Sequence, residues 1–233
     1  MSTAFITGTT KGLGFELLKV FLENNWKVFA LVRNAENIKH LQEQFPETCF
    51  PVIGDVTNDE VTKDILHLLQ ANTEKIDLLI NNAGNAVKCF GFDNVTPELL
   101  DEHFKVHVSG AFRIIKTCMP FLQKSENPII INISSRKGSI HKINSGAYRI
   151  LFPYQIAKAA QNMLTACLNQ EFKDTNIKTY AIDPGNLKTD VAPPDADTEP
   201  IEAAEKIYRW VINPNKLTTE FFYSVMDDSV LDW

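Results

Sequence analysis

Short apolar runs alternate with longer amphipathic segments along most of the chain. The runs are apolar at successive positions rather than at every second one, which is the pattern of strands buried on both faces of a parallel sheet. They predict seven strands, namely TAFIT (3–7), WKVFALV (26–32), CFPVIGD (49–55), KIDLLIN (75–81), NPIIINI (127–133), IKTYAID (177–183) and TEFFYSV (219–225). The segments between them predict helices over 13–24, 59–70, 97–123 (as two helices), 154–173 and 201–211.

The order of these elements indicates the fold class. Repeated strand–helix–strand order requires right-handed crossovers, which place helices on both faces of a parallel sheet. The sequence therefore predicts an α/β fold, a Rossmann-like doubly wound sheet of about seven strands. No repeat, low-complexity tract or linker interrupts it, so residues 1–233 are predicted to form a single domain. The one loop-like change of composition is PPDADTEP at 193–200, beyond the sixth strand.

Three glycines, Gly8, Gly12 and Gly14, lie between the first predicted strand and the first predicted helix. In a doubly wound fold this turn lies at the carboxyl edge of the sheet, where nucleotides bind. Glycine lets a pyrophosphate approach the backbone without meeting a Cβ, and the helix that follows presents unpaired N–H groups to the anion. The spacing differs from GxGxxG, and a plain strand-to-helix turn is the alternative interpretation.

Composition and charge narrow the range of partners. The chain is 44% hydrophobic and 22% charged, and its net charge of -6 argues against nucleic acid or an anionic membrane as the main partner. No apolar run approaches the roughly 18 residues that span a bilayer and no signal-peptide pattern is present, so we expect no membrane partner and a cytoplasmic location. The cysteines are scattered without metal-ligand spacing, which predicts small buried thiols and no metal site. They are Cys49, Cys89, Cys118 and Cys167.

Five further motifs follow the glycine turn in order along the chain. Together with TGTTKGLG at 7–14 they resemble the classical short-chain dehydrogenase/reductase family, and the resemblance covers essentially the whole chain. A closer resemblance, to the C-factor and sniffer-type carbonyl reductases of that family, rests on SSRKGSI (134–140), NSG (144–146) and the terminal Trp233. The five motifs are GDV (54–56), NNAG (81–84), NISS (132–135), YQIAK (154–158) and DPG (183–185).

The resemblance implies a nicotinamide cofactor, and the end of the second strand indicates NADP(H). A ribose 2′-OH is usually bound by a carboxylate at this position, whereas a 2′-phosphate requires cationic donors. Here Arg33 follows Leu31 and Val32, and Lys11 in the glycine turn adds a second cation; a solvated surface cation is the alternative for each. The implied cofactor-binding residues are Gly8, Thr10, Lys11, Gly12, Leu13, Gly14, Arg33, Asp55, Val56, Asn82, Ala83, Gly84, Tyr154, Lys158, Pro184, Gly185, Leu187 and Thr189.

Some of these assignments have structural alternatives. By resemblance Asp55 and Val56 meet the adenine ring, but Asp55 could instead cap the helix predicted to begin near residue 59. Residues 82–84 are expected to hold the end of the fourth strand against the cofactor, or simply to form a turn. The DPG turn is expected to flank the nicotinamide, and Leu187 and Thr189 to contact its carboxamide and phosphate.

Tyr154 and Lys158 are four residues apart, so they share one face of the predicted helix. The Lys158 ammonium, together with the positive charge of a bound nicotinamide, favours tyrosinate and is expected to lower the pKa of the phenol. Tyr154 would then be a usable general acid toward a ketone oxygen at neutral pH. Tyr148 has Phe152 where the lysine should be, and we reject it as the acid.

Ser135 ends the fifth predicted strand, where a hydroxyl can polarise a substrate carbonyl. Adjacent side chains on a strand point to opposite faces, so only one of Ser134 and Ser135 can do this. The resemblance selects Ser135. The segment 136–153 is longer than in most of the family and is expected to shape the substrate entrance.

His107 stands where the family usually has an asparagine. By resemblance, that asparagine supports a water-mediated proton relay to the active-site lysine. Histidine donates and accepts hydrogen bonds and titrates near neutral pH, so it can keep the relay, alter its pH dependence or abolish it. A packed or capping histidine is the alternative.

We therefore predict an NADPH-dependent oxidoreductase that reduces a small-molecule ketone or aldehyde to an alcohol by hydride transfer. Ser135, Tyr154, Lys158 and His107 are its candidate catalytic residues. Two alternatives stay open: a nucleotide-binding signalling or regulatory protein with vestigial reductase activity, and a structural interaction domain that binds no cofactor. The departure at His107 and the lack of an obvious large lid keep the first of them open.

The resemblance also implies assembly through the helices over 97–123 and 154–173, which pack against their symmetry mates in related proteins. The second segment carries more apolar surface than one sheet-facing stripe needs. Its small residues Ala159 and Ala166 would allow close helix approach. We expect a homodimer or homotetramer, with a helix merely buried between its neighbours as the alternative.

Overall fold

The apolar runs form the strands of one continuous sheet. The structure is a computed structural model that describes residues 1–85, 91–146, 148–189, 196–213 and 220–233. All seven predicted strands are found, and a short eighth strand follows them. The strands are β1 (Thr3–Thr7), β2 (Lys27–Val32), β3 (Cys49–Ile53), β4 (Leu78–Asn81), β5 (Ile129–Ile133), β6 (Lys178–Asp183), β7 (Phe222–Ser224) and β8 (Ser229–Val230).

The helices occupy the segments between the strands. They are α1 (Gly12–Glu23), α2 (Lys39–Gln44), α3 (Val61–Asn72), α4 (Pro97–Phe104), α5 (Ala111–Leu122), α6 (Ile140–Asn144), α7 (Phe152–Glu171) and α8 (Pro200–Val211). The two helices predicted over 97–123 are α4 and α5, which a π-helical turn at Lys105–Gly110 joins without a loop. The prediction missed α2 and α6, because helices of five or six residues are too short to show a periodic pattern.

The strand order confirms the doubly wound sheet. The order is β3-β2-β1-β4-β5-β6-β7-β8, and every neighbouring pair is parallel except the last. The chain runs outward from β1 to β3 and then returns to the other side of β1 at β4. Connections leave the sheet in opposite directions at such a reversal, which opens a crevice at the carboxyl ends of the strands.

Helices cover the sheet on both faces, which explains why the strands are apolar at every position. On one face α1 and α8 contribute Leu17, Phe21 and Trp210 to the core. On the other face α3 and α5 contribute residues such as Ile65 and Ile115. None of the helices in the described ranges is long and apolar enough to cross a membrane.

The cysteines follow the prediction only in part. Cys49 and Cys118 are buried, and burial raises the pKa of the Cys49 thiol to about 11. Cys167 is exposed, so the prediction of a buried thiol is wrong there, because this position lies on the outer side of α7. Cys89 lies outside the described residues.

The glycine turn between β1 and α1 is packed too tightly for side chains. Gly8 has a φ of +71°, and a Cβ there would lie 2.8 Å from the Cα of Ala83. A Cβ at Gly14 would lie 2.2 Å from the carbonyl oxygen of Gly8 and 2.3 Å from Nδ2 of Asn82. The Gly14 contacts include main-chain atoms, which cannot move aside without displacing β1 or α1.

We expect Gly14→Ala to lower the free energy of unfolding by roughly 2–3 kcal/mol, because the added methyl group overpacks the turn. Gly146→Ala is the control: Gly146 also has a positive φ, of +72°, but nothing lies within 4 Å of its Cβ position. We expect Gly146→Ala to lower the free energy of unfolding by about 1 kcal/mol, from backbone strain alone. Urea unfolding of both variants measures the difference, and equal midpoints would show that the turn adapts.

Candidate active site

The ends of four parallel strands bring the predicted residues to one edge of the sheet. The glycine turn follows β1, residues 82–84 follow β4, and Ser135 and Pro184 follow β5 and β6. The helix α7 packs against β6 and adds Tyr154 and Lys158 from one side. This edge is the one at which the strand order reverses between β1 and β4.

Asn82 holds the glycine turn in place. Its Nδ2 donates hydrogen bonds to the main-chain oxygens of Thr7 at 2.9 Å and Gly8 at 3.1 Å. The Thr7 hydroxyl oxygen accepts the main-chain N–H groups of Asn82 at 3.0 Å and Ala83 at 2.9 Å. The next residue, Gly84, lies against His107, since a Cβ there would be 2.8 Å from the His107 ring. The NNAG segment thus connects the first strand to the helix that carries His107.

The N-terminus of α1 is suited to an anion. Lys11 precedes the helix, no side chain caps it, and no acidic residue lies in its first turn. Thr10 lies in the same turn, and Leu13 anchors the helix in the core. The positive end of the helix dipole and its free N–H groups favour a phosphate here, next to a turn that has no room for a Cβ at Gly8 or Gly14. These features fit the pyrophosphate of a dinucleotide.

A second charged region lies at the ends of β2 and β3. Arg33 is exposed, and its charge acts on Asp55. Burial raises the pKa of Asp55, but hydrogen bonds from Thr57 and the Arg33 charge bring it below its usual value. Asp55 accepts from the N–H and the hydroxyl of Thr57, and α3 begins only at Val61, so the alternative that Asp55 caps this helix is wrong. Val56 is buried next to it.

The segment after β6 returns to the glycine turn. Pro184 is buried, and Gly185 has a φ of +91°. Leu187 forms a bridge with Thr198 and packs on the core, whereas the Thr189 methyl group lies 3.5 Å from the Cβ position of Gly12. Residues 190–195, which include part of the predicted loop at 193–200, lie outside the described residues.

The two serines after β5 have different surroundings. Ser134 is buried and donates its hydroxyl to Oδ1 of Asn162 at 2.5 Å. Ser135 is partly exposed, and its hydroxyl oxygen accepts the N–H of Lys137 at 3.2 Å. Its side chain also hydrogen-bonds Tyr154. Ser135 is therefore the member of the pair that lies beside the tyrosine.

Tyr154 and Lys158 share one face of α7 as predicted, with Lys158 Nζ 5.7 Å from the centre of the Tyr154 ring. Burial raises the pKa of Tyr154 to about 12, although the hydrogen bond with Ser135 lowers it. Burial also lowers the pKa of Lys158 to about 7. Burial thus disfavours the charged form of each group in the cofactor-free protein, and the expected lowering of the phenol pKa, which includes the charge of a bound nicotinamide, stays a prediction.

His107 lies on the π-helical turn between α4 and α5, a type of turn that is frequent at functional sites. Its Nε2 bonds the main-chain oxygen of Asn85 at 2.9 Å, and its ring meets the Tyr154 ring edge-on at 5.8 Å. Burial, the Lys158 charge and His103 hold the pKa of His107 well below its usual value, despite the Asn85 hydrogen bond. The imidazole is therefore neutral, with Nδ1 lacking a partner among the described residues.

Arg136 was not singled out from the sequence, although it directly follows Ser135. Its guanidinium donates to Asp183 at 2.7 Å, to Ser224 at 2.9 Å and to Asp227 at 2.8 Å, which ties the ends of β5, β6 and β7 together. Tyr148, which we rejected as the acid, hydrogen-bonds this arginine. The charges that act on Tyr148 are those of Arg136, Asp183 and Asp227, and no lysine is among them.

Gln161 is a second residue that sequence reasoning missed. It is buried and hydrogen-bonded to Lys158 and to the main chain of His107. Its position three residues after Lys158 was the available signal, because a polar residue on the inward side of a helix needs a polar partner.

Comparison with known proteins identifies the family. The family model described as short chain dehydrogenase matches residues 2–200. Oxidoreductase BOA17 from Botryotinia fuckeliana is 30% identical over 192 residues, which are 81% of this chain and 66% of that protein. 3alpha-Hydroxysteroid dehydrogenase from Mediterraneibacter gnavus is 28% identical over 232 residues, which are 96% of this chain and 89% of that protein. The match thus spans slightly less than two thirds of the length of the first of these relatives.

Solved structures agree with this assignment. The NADPH-bound carbonyl reductase from chicken fatty liver superposes with a TM-score of 0.87 at 25% identity, over 100% of this chain and 99% of that one. The carbonyl reductase Sniffer of D. melanogaster superposes with a TM-score of 0.86 at 25% identity, over 100% of both chains. The chain therefore belongs to the short-chain dehydrogenase family of oxidoreductases, whose members bind a nicotinamide cofactor, and within that family it resembles the sniffer-type carbonyl reductases.

Proposed function

We propose that this protein reduces a ketone or an aldehyde to an alcohol with NADPH. The observation that carries the proposal is the cluster of Ser135, Tyr154 and Lys158 beside the glycine turn, at the edge where the strand order reverses. A hydroxyl, a phenol and an ammonium are the groups that polarise a carbonyl, protonate it and stabilise the phenolate left behind. The carbonyl reductases among the similar structures support the same chemistry.

Each of the three side chains has one task in this mechanism. The Ser135 hydroxyl donates a hydrogen bond to the carbonyl oxygen and makes the carbonyl carbon more electrophilic. A bound nicotinamide cofactor supplies the hydride that this carbon accepts. Tyr154 gives its phenol proton to the same oxygen, which completes the alcohol, and the Lys158 ammonium stabilises the resulting tyrosinate.

The altered pKa values fit these tasks. With a pKa of about 12, Tyr154 is protonated at neutral pH and can act as an acid. Forming a buried tyrosinate costs free energy when the proton is transferred. The Lys158 ammonium, with Nζ 5.7 Å from the centre of the Tyr154 ring, reduces this free-energy cost. Lys158 must therefore be charged during the reaction.

Lys11 and Arg33 are the basis for NADPH rather than NADH. Both are exposed near the N-terminus of α1 and the end of β2, where a 2′-phosphate would lie. No carboxylate stands at residues 31–33, where a 2′-OH would need an acceptor. The NADPH in the chicken carbonyl reductase structure supports the same choice.

We also propose that the protein forms a homodimer through α4, α5 and α7. Phe112 of α5 is 45% exposed and Met163 of α7 is 65% exposed, and Ile156 and Cys167 are exposed along the same helix as Met163. These α7 positions are spaced by seven and four residues, so they form one stripe. An apolar stripe of this kind is stabilised when a second copy covers it.

Replacing Lys11 and Arg33 together with alanine should weaken NADPH binding roughly 10- to 100-fold, because charge-assisted contacts to the 2′-phosphate are lost. NADH binding should change much less. The control is Lys178→Ala with Arg209→Ala, which removes the same charge from the amino end of β6 and from the last turn of α8. Titration calorimetry measures each affinity. Equal affinities for the two cofactors in the unmodified protein would overturn the NADPH assignment.

Tyr154→Phe should lower kcat at least about 100-fold, because the proton donor is lost, while cofactor affinity stays within about threefold. The matched control is Tyr148→Phe, which removes a hydroxyl that bonds Arg136 and should retain turnover. NADPH oxidation with aldehydes, diketones and quinones measures the rates. An unmodified protein that binds NADPH but turns over none of these would favour a regulatory role, and an undiminished rate in Tyr154→Phe would mean that another group is the acid.

Light scattering at micromolar concentration should give at least twice the chain mass of 26.3 kDa. Combining Phe112→Glu with Met163→Glu should yield the monomer, because the charges must be desolvated when the two copies meet. Phe92→Glu, at a side chain that is 78% exposed outside these helices, should leave the mass unchanged. A monomeric mass for the unmodified protein would rule the dimer out.

A further inference from the structure

The inward side of α7 carries several polar side chains that are buried against the sheet. Three of them bond β5 or the residue after it: Lys158 bonds Ile133, Asn162 bonds Ser134, and Thr165 bonds Asn132. The side chain of Gln161 instead bonds Lys158 and the main chain of His107.

The Gln161 amide bridges two groups that do not bond each other directly. Its Oε1 accepts a hydrogen bond from Lys158 Nζ at 3.0 Å, and its Nε2 donates to the main-chain oxygen of His107 at 3.0 Å. The reverse orientation of the amide would place its N–H groups against the ammonium and its oxygen against the carbonyl. Only the observed orientation satisfies both neighbours. With 1% of its surface exposed, Gln161 has no access to bulk solvent.

We propose that Gln161 is a positioning residue for Lys158, and that it ties the active-site ammonium to the π-helical turn through the main-chain carbonyl of His107. The link from His107 to the lysine therefore runs through the backbone of residue 107, whose imidazole bonds Asn85 instead. This inference rests on the proposed function for its catalytic consequence, but the link itself is a property of the protein alone.

The chemistry of an amide sets what this link can do. A water molecule between an ammonium and a carbonyl can accept one proton and release another. The Gln161 amide oxygen is a very weak base and its N–H is a very weak acid, so the side chain holds Lys158 without conducting its proton. Gln161 thus joins Lys158 to the main chain of residue 107 by a fixed tether that does not conduct protons.

The tether also acts on the charge of Lys158. An amide oxygen that accepts from the ammonium favours the charged form, against the burial that disfavours it. The ionisable groups that surround Lys158 are Tyr154 on the same helix, His107 on the π-helical turn, His103 of α4 stacked on His107, and Asp183 of β6, which acts on Tyr154. The imidazole of His107 is neutral, so Gln161 is the neighbour whose removal changes the stability of the ammonium most directly.

The test measures the Lys158 titration in the cofactor-free protein by NMR of lysine labelled with ¹³C at Cε, assigned by its loss in Lys158→Arg. Gln161→Leu should lower the pKa of Lys158 by about one unit from its value of about 7, because one of the two acceptors of the ammonium protons is lost and only the Ile133 carbonyl remains. Gln161→Glu keeps the shape of the side chain and should raise this pKa, because it adds a negative charge. It also serves if the leucine variant does not fold.

Thr165→Val is the matched control. It removes a buried hydroxyl from the same side of α7, one turn further along, and leaves the contacts of Lys158 in place. We expect it to lower the melting temperature about as much as Gln161→Leu does, without moving the Lys158 titration. If Gln161→Leu folds and Lys158 titrates as in the unmodified protein, Gln161 only fills space and the proposal is wrong.

Kinetics give a second readout. Activity needs the Lys158 ammonium, so kcat should fall as the pH rises through the pKa of this lysine. In Gln161→Leu that decline should begin about one unit lower, and at a pH above both pKa values kcat should be about tenfold lower while KM changes little. At a pH below both pKa values the two enzymes should converge. An unmodified protein without turnover would refute the proposed function, whereas an unchanged NMR titration would refute the tether.

Discussion

The arrangement of the candidate active site, at the carboxyl edge of the sheet, depends on the hydrogen bonds between α7 and β5. Buried polar side chains must find partners, and Thr165 and Asn162 of the helix find theirs in Asn132 and Ser134. These bonds allow one register between the helix and the strand, whereas apolar contacts alone would tolerate sliding. Tyr154 lies about two to three turns before these residues on the same helix, and Ser135 is the second residue after the strand. The register of the two elements therefore sets the distance between the acid and the polarising hydroxyl.

The cofactor side of the edge is built by close packing instead. Asn82 bonds the carbonyls of Thr7 and Gly8, and the space that a Cβ would need at Gly14 is filled by the Gly8 carbonyl and the Asn82 amide. These contacts thus fix the conformation of the turn, although glycine by itself allows many backbone conformations. The first turn of α1 is left without a capping side chain or an acid, which keeps its positive end available for a phosphate.

Burial is the main cause of the shifted pKa values of Tyr154 and Lys158 in the cofactor-free protein. Burial raises the pKa of Tyr154 to about 12 and lowers that of Lys158 to about 7, since charged forms are poorly solvated at both positions. Any group that stabilises the Lys158 ammonium consequently changes the charged fraction of this lysine strongly at neutral pH. Gln161 is such a group, and its contact with the His107 carbonyl joins the lysine to α4 and α5, which carry part of the proposed dimer surface.

The sequence by itself determined the succession of strands and helices along the chain. Buried parallel strands need continuous apolar runs, and each motif directly follows or overlaps one of the predicted elements. It therefore predicted the doubly wound sheet and the edge at which Ser135, Tyr154 and Lys158 meet. It missed the shortest elements, which carry no periodic signal, and it did not show how far burial raises the pKa of Tyr154 in the cofactor-free protein. Only the tertiary structure decided that value and the partner of Gln161, because burial and a contact across 54 residues exist only once the chain has packed.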